Sequence, residues 1–224
     1  MVDGKVMIKV IYEDNHLLVV VKPVNVPVQE DESRDLDFLT MLKNYIKEKY
    51  NKPGNVYLGL VHRLDRPVGG IMVFAKTSKC ASRLSEQIRN HQMKKEYQAV
   101  VLNQLPSNGT FIDKLLKDNN KNIVRIDEKG KEAILEYELM NYKNNMSLVK
   151  INLKTGRSHQ IRVQFASRNY LLYGDQKYNS NSKVGEQIAL YATSLSFFHP
   201  VTKELLTFTT ELPDKHPWNI FNIK

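Results

Sequence analysis

The chain has 224 residues, 42% of them hydrophobic, and a formal net charge of +9. That length makes one large domain or two small ones with a sizeable core, and the composition excludes a disordered or low-complexity chain. The basic excess points to a polyanionic partner, RNA or DNA before membrane, and no apolar run reaches the ~20 residues of a membrane span.

Val6–Val10 and Leu17–Val21 read as short strands around the turn cluster Glu13-Asp14-Asn15, and Pro23 ends the second because it cannot donate to a ladder. Asp31–Arg34 is a polar loop. Leu39, Leu42, Tyr45 and Ile46 recur at helical spacing, which predicts a helix over Leu36–Tyr50, stopped by Asn51-Lys52-Pro53-Gly54.

The chain is organised around the next stretch, Gly59-Leu60-Val61-His62-Arg63-Leu64-Asp65-Arg66-Pro67-Val68-Gly69-Gly70, which runs into Ile71-Met72-Val73-Phe74-Ala75-Lys76. Asp65 lies between two arginines and is followed by a two-glycine turn. The apolar run is short and contains Val, Ile and Phe, so it reads as a buried strand rather than a helix. A carboxylate so close to an interior strand, held ionised by flanking cations, is poised as a nucleophile or base. The competing reading is a solvated salt-bridge cluster without chemistry.

Thr77 or Ser78 caps a helix running to about Asn90, with Ala81, Leu84 and Ile88 as its buried stripe. Cys80, the single cysteine, lies there as packing; it cannot make an internal disulfide and argues for a reducing compartment. Lys79, Arg83, Arg89, Lys94 and Lys95 form an exposed basic surface, which serves either solvation or phosphate contact. Lys94–Val101 reads as a strand carrying Tyr97, a residue type usually found in the core with its hydroxyl satisfied. Gly109–Arg125 is a hairpin or loop excursion. Ala133–Leu139 and Met146–Leu153 alternate as antiparallel strands joined by a turn at Asn141–Asn145.

The second of these strands ends at Thr155-Gly156. Ser158 can cap a helix whose apolar face is Ile161, Phe165 and Ala166. Arg157 then projects where strand becomes helix, a natural place to hold a carboxylate or a phosphate; the alternative is a pairing with a surface acid. His159 has no oriented partner in the sequence and reads as structural. Ile188–Phe198 and Glu204–Thr210 are two final strands split by His199-Pro200, and Trp218 and Phe221 pack the tail down. No metal-ligand cluster, phosphate loop or dinucleotide fingerprint occurs, so no metal and no cofactor are expected.

Several of these stretches carry a resemblance. His62-Arg63-Leu64-Asp65-Arg66, then Gly-Gly and a strand ending Phe-Ala-Lys, resembles the signature of the RluA family of pseudouridine synthases. Asp14–Pro23 is similar to the family's opening motif, with Asn25 taking the turn that glycine usually takes. Lys-x-Tyr at Tyr97, Thr155-Gly156-Arg157-Ser158-His159-Gln160-Ile161-Arg162 and Gly174-Asp175-Gln176-Lys177-Tyr178 match further elements, so the likeness spans about Asp14 to Pro213. Two departures stand out: Pro67-Val68-Gly69 replaces the Asp-Thr-Ser of many members, and Gln164 stands where many have histidine and is given no role.

The resemblance implies an α+β pseudouridine synthase fold, a bent, mostly antiparallel mixed sheet flanked by helices with a central active-site cleft, and one catalytic domain over residues 1–224. It implies isomerisation of uridine to pseudouridine in rRNA or tRNA by base flipping, with Asp65 as the catalytic residue. Arg157 would pair with Asp65, Tyr97 would stack on the base and Arg63 would fill the space the base leaves. His62, Lys76 and Gln160 are expected at the substrate as well. The second strand begins by Leu17, so recognition is expected to rest on the catalytic domain without a preceding RNA-binding domain. The start Met1-Val2-Asp3-Gly4-Lys5 lacks a signal peptide's apolar segment, so a cytoplasmic monomer is expected, with RNA as partner and no membrane. A non-catalytic RNA-binding module would explain the charge but leaves Asp65 without a purpose. A metal nuclease or a glycosidase would want clustered or paired acids, and the central motif offers one.

Overall fold

The computed structural model describes residues 7–221; Val6, expected to open the first strand, lies outside them. The fold is α+β and divides into two compact units. One holds the described residues up to Met93 together with Ser194–Thr210. The other holds Lys94–Thr193 and the tail from Glu211.

In the first unit, β2 (Leu17–Lys22) lies between β1 (Lys9–Glu13) and β4 (Gly69–Ala75), antiparallel to both, and β3 (Gly59–Leu60) pairs with the end of β4. Every residue of β2 and β4 is buried, which is why both read as unbroken apolar runs rather than alternating ones. Strand β1 extends three residues beyond the expected end, with a bulge between Val10 and Tyr12, because Glu13 pairs with Leu18 and its carboxylate is gathered by four side chains. Helix α1 (Phe38–Lys49) starts where Asp37 accepts from the Thr40 amide and stops before Asn51, which takes the left-handed conformation at φ 47°.

Helix α2 (Ser78–Arg89) is capped by Thr77, which accepts from the Cys80 amide. Its buried residues are Cys80, Leu84 and Gln87, a stripe rotated from the expected Ala81-Leu84-Ile88. Gln87 causes the rotation: its amide donates to the Phe198 carbonyl at 2.7 Å and accepts from the Phe198 amide at 2.9 Å. Phe198 ends β10 (Leu190–Phe198), whose last five residues pair with β11 (Leu205–Thr209) in this unit. Arg83, read as an exposed cation, donates to the Pro200 carbonyl at 2.8 Å. Among the described residues no helix is long and apolar enough to cross a membrane.

The second unit is a run of antiparallel neighbours: β5 (Lys94–Leu102), β9 (Met146–Leu153), β8 (Lys131–Lys143), β6 (Asn108–Asp118) and β7 (Ile123–Ile126). The 109–125 excursion is therefore a hairpin whose first strand is long. The β8–β9 turn is tighter than expected: Asn144 and Asn145 alone make it, at φ 52° and 57°, the left-handed pair a two-residue hairpin demands. Phe111, Tyr137 and Phe165 pack ring on ring at 5.0–5.7 Å and fix the short helix α3 (Gln160–Ala166) against β6 and β8. A 3-10 turn at Trp218–Phe221 packs on Val100, Met146, Leu148 and Ala189, as expected for the tail.

Candidate active site

In the first unit, Asp65 sits on a closed turn. The Val68 amide donates to the Asp65 carbonyl at 2.9 Å, and the turn is anchored on either side by buried Leu64 and Val68. The two glycines are not the turn, as the sequence suggested. They open β4, with Gly70 at φ 125° facing Lys22, so the absence of a side chain serves the strand start. The approach to Asp65 is pinned by His62, whose Nε2 accepts from the Val73 amide at 3.1 Å. His62 thus aligns the motif along β4.

The cation beneath Asp65 is one the sequence reading passed over. Lys22 is wholly buried at the end of β2, and its Nζ donates to the carbonyls of Pro23 (2.8 Å), Val26 (2.7 Å) and Arg66 (3.0 Å). One ammonium has three hydrogens and here meets three acceptors, which ties the Lys22–Val26 bend, with Asn25 left-handed at φ 63° as expected, to the residue after Asp65. Burial pulls the Lys22 pKa down to about 7; the charge of Asp65 pulls it upward, and that of Arg66 adds to the fall. The two flanking arginines differ. Arg66 is turned away, donating to Ser33 at 2.8 Å and pairing with Asp35, while Arg63 is exposed. Lys76, expected at the substrate, is instead drawn into the fold, where it pairs with Glu13 at 3.0 Å and lies 4.7 Å over the Tyr50 ring.

In the second unit, Tyr97 is 7% exposed on β5 opposite Ile151. The Thr155-Gly156-Arg157 bend is built around Gln160. Its Oε1 accepts from the Thr155 hydroxyl (2.8 Å) and the Arg157 amide (3.0 Å), and its Nε2 donates to the Ile134 carbonyl (3.1 Å). Gln160, expected at the substrate, is thereby a buried brace for the bend. Arg157 is exposed, with its Nε donating to the Glu132 carbonyl at 2.8 Å. Ser158 does not cap α3; His159 precedes the helix in the left-handed conformation at φ 49°, with its Nδ1 2.7 Å from the Tyr178 hydroxyl.

The second arginine of this motif is the larger omission of the sequence reading. Arg162 is 6% exposed at its side chain, forks onto Asp175 at 2.9 and 2.6 Å, and lies 5.2 Å over the Tyr178 ring. Asp175 also accepts from the Lys177 and Tyr178 amides, so the Gly-Asp-x-x-Tyr element and α3 form one braced body. The signal was present as two motif letters, Arg162 and Asp175, whose spacing does not reveal that they meet. Among the described residues no group of three or more His, Cys, Asp or Glu could hold a metal ion.

Comparison with known proteins gives this arrangement its family. The profile of the RNA pseudouridylate synthase family matches residues 16–167, from the turn before β2 to the end of α3. The chain is 36% identical over 215 residues to ribosomal large subunit pseudouridine synthase C of Buchnera aphidicola subsp. Baizongia pistaciae, covering 91% of this chain and 66% of that protein. It is 33% identical over 224 residues to synthase D of the same organism, covering 93% and 70%. It thus spans about two thirds of these relatives' length. The solved structure of human RNA pseudouridylate synthase domain containing 4 superposes with a TM-score of 0.77 at 24% identity, over 92% of this chain and 88% of that one, and shows the same fold. The chain belongs to the RNA pseudouridylate synthase family, as its RluA-like motifs implied.

Proposed function

We propose that this chain isomerises uridine to pseudouridine in ribosomal RNA, with Asp65 as the catalytic residue. The observation that carries the reading is the Asp65 turn itself: a carboxylate on a closed loop, locked to β2 by an ammonium that donates to the next residue's carbonyl. Such a group is held in place before substrate arrives, which is what a positioned nucleophile or base requires. The relatives named for the ribosomal large subunit favour rRNA over tRNA.

The reaction must free the base from ribose carbon 1, turn it over and rejoin it through its carbon 5. A stacked base cannot do this, so the nucleotide is flipped out at a cost of a few kcal/mol. Asp65 attacks the ribose or the base, or takes the ribose 2′ proton. Tyr97 offers a ring to the base, and Arg63 and Arg157, both exposed, offer guanidinium groups to the RNA. His62 and Gln160 hold the loops that carry these groups, and Lys76 holds the far end of β4. The full chain acts as one catalytic domain, as a monomer in the cytoplasm.

The test is to incubate unmodified ribosomal RNA and tRNA transcripts with the protein, digest them and separate the nucleosides. Pseudouridine in the rRNA sample with strands intact supports the reading. Tight binding of both RNAs without pseudouridine would return the protein to the class of RNA-binding modules.

A further inference from the structure

The sequence reading placed Lys95 in the exposed basic surface, but the structure draws it in. Its neighbours on the sheet have partners: Lys150 lies 3.6 Å from Glu96 and Lys154 lies 2.8 Å from Glu136. Among the described residues, the Lys95 side chain has no ion pair and no hydrogen bond. Burial lowers its pKa, with no carboxylate to restore it. It opens β5 opposite Leu153, the last residue of β9 before the Thr155-Gly156-Arg157 bend. Its ammonium is turned onto that bend: a Cβ on Gly156 would stand 3.3 Å from Nζ.

Three features define what this group can receive. An ammonium is a compact point charge and recognises a phosphate without needing a planar partner. Strand alternation puts Lys95 on the same face as Tyr97, about 7 Å along at ~3.3 Å per residue. Glycine at 156 keeps the space beside the ammonium clear, and exposed Arg157 follows it in the chain as a second cation on the bend.

We propose that Lys95, at the Gly156 bend, binds a backbone phosphate of the substrate RNA next to the nucleotide whose base meets Tyr97. This assignment rests on the reading of Tyr97 given above. It gives the enzyme a phosphate contact inside the second unit, separate from the exposed lysines.

The test is the salt dependence of binding to the ribosomal RNA transcript, measured by fluorescence anisotropy for wild type, Lys95→Met, Lys95→Arg and Gly156→Val. Loss of one phosphate contact lowers the slope of log K against log salt by about 1 and weakens binding several-fold. Lys95→Met is expected to show this loss, and Lys95→Arg to keep the wild-type slope. Gly156→Val leaves the charge but crowds its approach, and is expected to weaken binding even if Lys95→Met does not fold. Folded Lys95→Met with the wild-type slope, or Gly156→Val with wild-type affinity, overturns the proposal. Absence of pseudouridine with wild type is a separate result and overturns the functional reading instead.

Discussion

Glu13 gives the sharpest energetic prediction. Burial opposes its ionisation, but Lys49 (2.7 Å), Tyr50 (2.7 Å), Lys76 (3.0 Å) and Tyr45 (2.9 Å) all donate to its two oxygens and hold its pKa down at about 2, against 4.5 for the free group. The perturbation is Glu13→Gln, which keeps the shape and removes the charge. A difference of about 2.5 pKa units at ~1.4 kcal/mol each sets an upper bound of ~3.5 kcal/mol. The Glu13 side chain is 6% exposed but that of Lys49 is 44% exposed, so solvent screens part of this and about 2 kcal/mol is expected. The folded pKa lies below the unfolded one, so the unfolded chain binds more protons between the two values. The stabilisation is therefore present above about pH 5 and is lost as pH falls toward 2. The assay is urea denaturation of both proteins from pH 7 to pH 2.5. Wild type should exceed Glu13→Gln by about 2 kcal/mol at pH 7, and the gap should shrink as pH falls. A gap that stays constant across that range would refute the reasoning.

Three other substitutions, the last a control, test the scaffold. Lys22→Met leaves three carbonyls without their donor, so it should lower stability by ~3 kcal/mol and slow isomerisation at saturating RNA; wild-type stability and rate, by denaturation and single-turnover assay, would contradict the role assigned to Lys22. Gly174→Ala should cost at least ~2 kcal/mol, because a Cβ there would meet the Gln187 carbonyl at 2.3 Å at a residue with φ +69°, whereas Gly54→Ala, with nothing within 4 Å, should stay within ~0.5 kcal/mol; thermal melts of the pair check this.

The fold was legible wherever local pattern and burial agree. The apolar runs at Leu17–Val21 and Ile71–Ala75 could only be interior, and Thr77, Asn25 and Asn51 stand at bends or helix ends whose geometry their side chains suit. The long strand β6 was less visible, because its pairing with β8, not its own alternation, holds it extended. At the site, Asp65 and the two arginine-bearing motifs could be found, but the Lys22 contacts, the pairing of Arg66 with Asp35 and the Arg162–Asp175 fork could not. Lys22 reads as the polar end of a strand; its burial follows from three carbonyls that converge only after folding. Arg66 has Asp65 beside it in sequence, yet its guanidinium reaches Asp31, Ser33 and Asp35 once the 31–35 loop folds back. The resemblance places Gln160 and Lys76 at the substrate, and the charge pattern places Lys95 on an exposed surface. Each turns inward because a nearby backbone bend, a buried acid or a glycine leaves room for it.

The central claim is that Asp65 carries the chemistry, and tritium release tests it most directly. RNA carrying tritium at uracil carbon 5 loses the label only when the new bond forms at that carbon. Wild type and Asp65→Asn are compared side by side, with RNA affinity measured for both. The account predicts release by wild type and none by Asp65→Asn, with affinity retained. Equal release by the two proteins would contradict it.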